Sequence, residues 1–437
     1  MTTEERGAQD VAGGADPPPR WRRDVGFFLA GQTISLFGSM IVQYAVLWHL
    51  TLETRSGSVL AIASVVGFLP QAVVSVFGGV WADRHDRKLL VIGADAVIAL
   101  TTLALALLML AGNDSLWLIY GALAIRSAGA GVQMPAVSAM VPQIVPGKEL
   151  LRFNGLFTSV QSGLMLVAPA AAAAVYAATS IVSVFFLDVF TAVIGIGLLL
   201  LVPVPRVVRA AGPGEAAPLS YLDDLVAGVR YVWSHAFVRW LMALYGLVFL
   251  LIVAPSYLTP LMVVRTFGDE VWKLTVNELA FSIGMMLGGI AVAAWGANRS
   301  RIGMIVGSTF AFGVLSIGMG LSTNMWVFFS LMFLLGLFVP SFSTPATTVL
   351  QETVEPEVLG RVFGFVGIVM TLAMPVGMAV FGPLADRYSV ESLLVVSGLA
   401  LFVVLGGALA LPAGRRSLEL AAAGSAATGA APTGSAP

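Results

Sequence analysis

Residues 78–88 read GGVWADRHDRK, and this stretch decides the fold because it lies between two long apolar runs. Six consecutive ionisable residues, Asp83 to Lys88, separate those runs. A bilayer core cannot accommodate so dense a group of charges, whereas a short surface loop leaves them in water and lipid headgroups. The stretch therefore predicts a loop that joins two membrane-spanning helices.

The composition extends this prediction to most of the chain. Of the 437 residues, 58% are hydrophobic and 11% are charged, and the mean hydropathy is +0.92. Soluble proteins carry about 25% charged residues, so most of this chain is expected to lie in lipid. The net charge of −1 leaves no basic excess to neutralise phosphates, which argues against a nucleic-acid partner.

The sequence also argues against catalysis. It contains no cysteine and only three scattered histidines, and it has no nucleotide-binding, zinc-protease or serine-hydrolase motif. We therefore expect no enzymatic activity, no metal site and no cofactor. Without an ATPase motif, an ion gradient or a partner is the expected energy source.

Twelve membrane-spanning helices are predicted, because each needs about 20 apolar residues. They run over 25–49, 57–81, 89–111, 116–142, 155–177, 181–203, 238–264, 275–297, 301–321, 325–349, 362–384 and 391–411. With the N-terminus in the cytoplasm, the basic residues predicted to lie outside are only Arg55, Arg265, Lys273 and Arg387. This asymmetry predicts a multi-pass protein of the cell membrane with both termini cytoplasmic.

The longest internal connection divides the chain into six helices and six helices. We expect an all-α integral membrane fold of two six-helix bundles, 24–203 and 238–411, around a central cavity. Residues 1–23 and 412–437 are expected to be disordered cytoplasmic tails, and 204–237 a cytoplasmic linker with an amphipathic helix. A weak repeat of 134–155 at 344–364 supports two related halves. One chain supplies both halves, so we expect a functional monomer.

The charged loop and one buried arginine carry a family resemblance. The loop resembles the cytoplasmic loop motif of the major facilitator superfamily through Gly79, Asp83, Arg84, Arg87 and Lys88. Arg126, in IRSAGAG, resembles the helix 4 arginine of that superfamily. Segments such as VVGFLPQAV, IRSAGAGVQMPA and LAMPVGMAVFG are similar to the macrolide-efflux branch of bacterial drug exporters. The resemblance implies export of lipophilic or amphipathic small molecules by proton antiport with alternating access.

The sequence departs from the family pattern at three places. Asp86 replaces the usual glycine before Arg87, and GANRSR at 296–301 is a degenerate second copy of the loop motif. The glycine-rich antiporter motif of helix 5 is reduced to Ala168-Pro169. The last departure weakens the implied direction of exchange.

Three charged residues within the predicted helices are candidates for proton coupling. Arg126 lies ~15 Å into helix 4, near the bilayer midplane, where a charge is costly and usually functional. The alternative for Arg126 is a structural role, bound to helix-end carbonyls. Asp188, in the apolar VFFLDVFTAV, is a candidate proton carrier or else a buried hydrogen-bonding group. Glu278, near the outer end of helix 8, is a candidate to titrate at the mouth of the cavity or to bind a cationic drug. The alternative for Glu278 is an interfacial residue whose side chain reaches out to water.

Gating and the substrate path are assigned to two further groups. We expect the loop residues Gly79, Asp83, Arg84, Arg87 and Lys88 to control an inner gate, with Asp83 capping a helix of the other half. Plain membrane anchoring is the alternative; it explains Arg87 and Lys88 well but Asp83 and Gly79 poorly. Asp95 is expected to pair with this basic loop, with a role in substrate binding as the alternative. The substrate cavity is expected to be lined by Gln32, Ser35, Ser39 and Gln43 on one face of helix 1, and by Gln71, Gln133 and Gln161. Such groups also serve as interhelical hydrogen bonds, worth ~0.6 kcal/mol each.

Two other functions remain open at this point. The same fold could export a metabolite made by the cell, such as a siderophore, or could import its substrate. A non-transporting membrane sensor or scaffold is the second possibility. The expected partners are a lipophilic small molecule, protons and membrane lipid.

Overall fold

The computed structural model describes residues 20–204, 229–296, 299–412 and 414. Within these ranges the chain forms twelve long helices, numbered α1 to α12 here. Their bounds are Trp21–Thr54, Gly57–Arg84, Arg87–Leu110, Leu116–Ile144, Leu150–Ala178, Ile181–Leu200, Ala236–Tyr257, Val271–Trp295, Arg301–Leu321, Met325–Thr353, Pro356–Arg387 and Val390–Ala410. A short helix, Thr259–Met262, and a π-helical turn, Val263–Phe267, follow α7.

The predicted all-helical membrane fold is confirmed. Among the described residues, 11 helices are long and apolar enough to cross a membrane. The remaining long helix, α4, has 29 residues, but Arg126 and Gln133 lower its hydropathy. Residues 1–19, 413 and 415–437 of the two predicted tails, and residues 205–228 of the predicted linker with its amphipathic helix, lie outside the described residues. The prediction of a disordered tail is wrong for residues 21–23, which form the first turn of α1.

Hydrogen-bonding side chains define where several helices begin. The side chain before the first helical residue accepts hydrogen bonds from free backbone N–H groups of the first turn. This occurs at Asp86, Ser180, Ser300, Asn324 and Ser389. Short polar residues between apolar runs therefore fix the points at which the chain re-enters a helix.

The chain forms two compact units. The first contains residues 1–43 and 73–212, and the second contains 44–72 and 213–437. In the first unit α3 packs against α4 and α6. In the second, α8 packs against α10, α9 against α12, and α7 against α11. The end of α1 and the start of α2 belong to the second unit. The division into two six-helix bundles, 24–203 and 238–411, stays a prediction.

Candidate functional site

Small residues bring α1 close to α6 in the first unit. A Cβ atom on Gly195 would lie 2.9 Å from the carbonyl oxygen of Gly31 and 2.9 Å from Cβ of Ser35. A Cβ atom on Gly38 would collide with the Thr191 hydroxyl and lie 3.2 Å from Oδ1 of Asp188. A glycine on one side of each contact lets the two helices approach so closely. This packing brings the Asp188 carboxylate against α1.

A buried ion pair forms where α1, α3, α4 and α6 meet. The side chains of Arg126 and Asp188 are 12% and 2% exposed, and Nη1 of Arg126 donates to Oδ2 of Asp188 and to Oγ1 of Thr102. Oγ1 of Thr102 lies 3.1 Å from Oδ2 of Asp188, and Oγ of Ser39 donates to Oδ1 at 3.3 Å. We call Ser39, Thr102, Arg126 and Asp188 the Arg126 cluster.

The Asp188 carboxylate is the central acceptor of the Arg126 cluster. An ionised carboxylate only accepts hydrogen bonds, and here it accepts from an arginine and a serine on different helices. Loss of the Asp188 charge would leave the guanidinium of Arg126 buried without a counter-ion. The Asp188 carboxylate therefore joins contacts from all four helices.

A second polar contact joins α3 and α4. Nε2 of Gln133 donates to Oδ1 of Asp95 at 2.7 Å. Asp95 is 2% exposed, and its Oδ2 has no hydrogen-bond partner. Asp95 precedes Thr102 by two helical turns, as Arg126 precedes Gln133, so this contact lies ~10 Å from the Arg126 cluster along the same helix pair.

The predicted pairing of Asp95 with the basic loop is wrong. Nζ of Lys88 donates instead to the carbonyl oxygens of Leu200 at 3.0 Å and Val202 at 2.8 Å. These carbonyls end α6, where the last turn leaves acceptors unsatisfied and carries a partial negative charge. Lys88 therefore binds a helix end, and the carboxylate of Asp95 turns to the amide of Gln133.

Two charged residues of the loop, Asp86 and Arg87, have structural roles. Asp86 begins α3 by accepting hydrogen bonds from the backbone N–H groups of Lys88 at 3.0 Å and Leu89 at 3.3 Å. The departure from the family glycine at this position thus supplies a helix cap. Arg87 donates to the carbonyl oxygens of Ala82 and Ala139, both at 2.9 Å, so it ties α2 to α4.

The gating role of the loop stays a prediction. Arg84 is exposed, and the side chain of Asp83 lies outside the described residues. A Cβ atom on Gly79 would meet nothing within 4 Å, whereas one on Gly78 would lie 2.6 Å from the carbonyl oxygen of Gly131. Close packing in this conformation therefore requires a glycine at position 78.

The residues predicted to line a cavity have different surroundings. Ser39 and Gln133 bind the two buried carboxylates, and Ser35 faces α6. Of the others, Gln32 is buried, Gln71 and Gln161 are half-buried, and Gln43 is exposed. Their contact with a substrate stays a prediction.

Glu278 belongs to the second unit. It is half-buried, and its carboxylate is within electrostatic range of the phenols of Tyr44 and Tyr257. Among the described residues, no group of three or more His, Cys, Asp or Glu side chains could hold a metal ion.

Thr102 is a member of the Arg126 cluster that the sequence did not reveal. Threonines are common in membrane helices, where their hydroxyls usually bind the carbonyl one turn earlier; Thr102 also lies 2.9 Å from the Ile98 carbonyl. Its position two turns from Asp95, on one face of α3, was the available signal.

Comparison with known proteins decides the family. The family model described as Major Facilitator Superfamily matches residues 28–378. The chain belongs to the major facilitator superfamily. It is 32% identical over 390 residues to macrolide efflux protein A of Streptococcus pyogenes, covering 88% of this chain and 95% of that protein. It is 25% identical to the multidrug efflux pump Tap of Mycolicibacterium fortuitum, covering 88% and 94%.

Solved structures agree on the fold. A bacterial homologue of the human lysosomal transporter Spinster matches with a TM-score of 0.67 at 13% identity, over 93% of this chain and 99% of that one. The nucleoside transporter NupG matches with a TM-score of 0.66 at 11% identity, over 89% and 98%. The predicted family and fold class are confirmed, and the chain is a multi-pass membrane transporter of this superfamily.

Proposed function

We propose that this transporter exports lipophilic or amphipathic small molecules, macrolide antibiotics first among them, in exchange for protons. The relatives named for macrolide and multidrug efflux support the substrate class. The buried Arg126–Asp188 ion pair is the observation that supports proton coupling. In this proposal the protein works as a monomer in the cell membrane, with both termini in the cytoplasm.

Proton exchange at Asp188 is the coupling step. A proton that enters from outside binds the carboxylate of Asp188 and weakens its contacts with Arg126, Thr102 and Ser39. Because these partners lie on α4, α3 and α1, the helices are freed to repack. Release of the proton to the cytoplasm restores the ion pair, since a buried arginine without a counter-ion is strongly unfavourable. Each cycle thus couples one protonation to one change in helix packing.

Glu278 provides a binding group suited to the proposed substrates. Macrolide antibiotics are large, mostly apolar molecules that carry an amino sugar, which is cationic at neutral pH. A carboxylate near two phenol rings attracts such a cation through its charge and through the ring faces. In this proposal Glu278, Tyr44 and Tyr257 receive the ammonium group, and Glu278→Gln lowers the affinity for cationic macrolides.

Accumulation of radiolabelled erythromycin in drug-sensitive cells tests the proposal. Cells that express the protein are expected to accumulate less drug than empty cells, and a protonophore is expected to remove the difference. Asp188→Asn should accumulate drug as empty cells do. The matched control is Asp114→Asn, which makes the same change at an exposed position in the α3–α4 connection and should export normally.

Two results would contradict the proposal. Equal accumulation in expressing and empty cells, with the protein present in the membrane, removes macrolides as substrates and favours export of a metabolite made by the cell. Normal export by Asp188→Asn removes this carboxylate from the coupling step.

A further inference from the structure

Asp386, at the end of α11, caps the start of α2. Its Oδ1 accepts a hydrogen bond from the backbone N–H of Gly57 at 2.6 Å. Its Oδ2 accepts from the N–H of Ser58 at 2.9 Å and from Oγ of Ser56 at 3.0 Å. The first N–H groups of a helix have no partner within the helix, and a carboxylate there also faces the positive end of the helix dipole. One side chain of α11 therefore supplies the cap of another helix.

Arg265 reinforces the same contact from the π-helical turn after α7. Its Nη1 donates to the carbonyl oxygen of Ala385 at 2.6 Å, and its Nε donates to that of Arg55 at 3.2 Å. Arg55 has a φ of 47°, in the left-handed region that residues with side chains rarely adopt. Its own guanidinium binds Asp269 at 2.8 Å. The corner that joins α1 to α2 is thus held by α11 and by the segment that follows α7.

The backbones of α2 and α11 touch beneath this cap. A Cβ atom on Gly382 would lie 2.5 Å from the carbonyl oxygen of Gly57 and would collide with Ala61. A Cβ atom on Gly57 would collide with the carbonyl oxygen of Gly382. The contact therefore depends on glycine in both helices. All of these residues belong to the second compact unit.

The sequence of this contact repeats that of the charged loop. The pattern Gly-x-x-Ala-Asp-Arg occurs at 79–84, where α2 ends, and at 382–387, where α11 ends. Arg55 and Arg265 are also two of the four basic residues predicted to lie outside, against the usual preference for the cytoplasm. On the predicted outer side, both arginines stabilise the α1–α2 corner by binding carboxylates and carbonyl oxygens.

We propose that Asp386 is an outer latch, which holds the α1–α2 corner in one state of the transport cycle and releases it in another. This inference rests on the proposed function only in requiring that the outer side opens during transport. The latch consists of Arg55, Ser56, Gly57, Ser58, Arg265 and Asp386. Loss of the Asp386 carboxylate removes the three contacts at the start of α2 together with its 3.5 Å ion pair to Nη2 of Arg265, and favours the released state.

Thiol labelling of a cysteine beneath the latch tests this inference. The chain has no natural cysteine, so Ser64→Cys provides a single thiol on α2; Ser64 is 8% exposed and changes little in size. The protein is purified in detergent and treated with a polar maleimide. Adding Asp386→Ala to this variant is expected to increase the labelling rate about 5- to 30-fold. A loss of about 1–2 kcal/mol in the stability of the latched state shifts its equilibrium with the released state by that factor. The control Arg387→Ala removes the neighbouring charge and should change the rate less than twofold.

A milder variant protects the test against misfolding. Ser56→Ala removes one of the four donors to Asp386 and is expected to increase labelling by a smaller factor. Unchanged labelling in a monodisperse Asp386→Ala protein overturns the latch; if that variant does not fold, unchanged labelling in Ser56→Ala overturns it. Labelling uses no substrate, so a failure of macrolide export leaves this result unaffected.

Discussion

Replacing Asp188 by asparagine should destabilise the protein strongly. The side chains of Asp188 and Arg126 are 2% and 12% exposed, so little water can replace the lost carboxylate. Removing one partner of a buried ion pair costs about 3–5 kcal/mol, because the other charge stays buried without compensation. Arg126→Gln in the same protein removes that charge as well, so the double variant should be more stable than Asp188→Asn alone. We expect a coupling energy of about 2–3 kcal/mol.

A double-mutant cycle measures this coupling. The free energy of unfolding is obtained for the wild type, Asp188→Asn, Arg126→Gln and the double variant by titrating a denaturing detergent into mixed micelles. Drug export is measured in parallel, and the double variant should be folded but inactive. If Asp188→Asn costs as much in the Arg126→Gln background as in the wild type, the two groups do not interact and the reasoning is refuted.

Three further substitutions test the α1–α6 packing, the Asp95–Gln133 contact and the cap of α3. Gly195→Ala should lower the free energy of unfolding by about 1–3 kcal/mol, because its methyl group meets the backbone of α1. The control Gly197→Ala meets nothing within 4 Å and should be neutral or stabilising. Unfolding in mixed micelles compares the two variants. Gln133→Leu should lower the free energy of unfolding by about 1–3 kcal/mol, because it leaves Asp95 without its hydrogen bond. The same titration should show a smaller loss when Asp95→Leu is already present. Asp86→Ala should cost about 1 kcal/mol and Asp86→Asn much less, since asparagine also caps helices; equal costs would contradict the cap.

The sequence predicts helices and buried charges well, for a physical reason. A membrane helix needs a continuous apolar run, so its position can be read without knowing its neighbours. Arg126 and Asp188 interrupt such runs, and a charge in an apolar run is conspicuous and costly. Both residues could therefore be singled out, and the structure brings them into one ion pair.

Partners of buried groups depend on which helices are neighbours, and the sequence alone does not give this. Asp95 lies two turns from Lys88 along the chain, which suggested a pairing, but the carbonyls at the end of α6 compete for the lysine and Gln133 faces the carboxylate. Asp386 was overlooked because charges at helix ends are ordinary in membrane proteins. Its importance becomes visible only when the start of α2 is found beside it.

Proton movement driven by a macrolide gradient tests the central claim most directly. The purified protein is reconstituted into liposomes that contain a pH-sensitive dye, and erythromycin is added outside without any pH gradient. Wild-type protein should move protons against the drug flow, and Asp188→Asn should show no drug-dependent pH change while Asp114→Asn behaves as the wild type. Erythromycin flux through the wild type without a pH change would contradict proton coupling at Asp188.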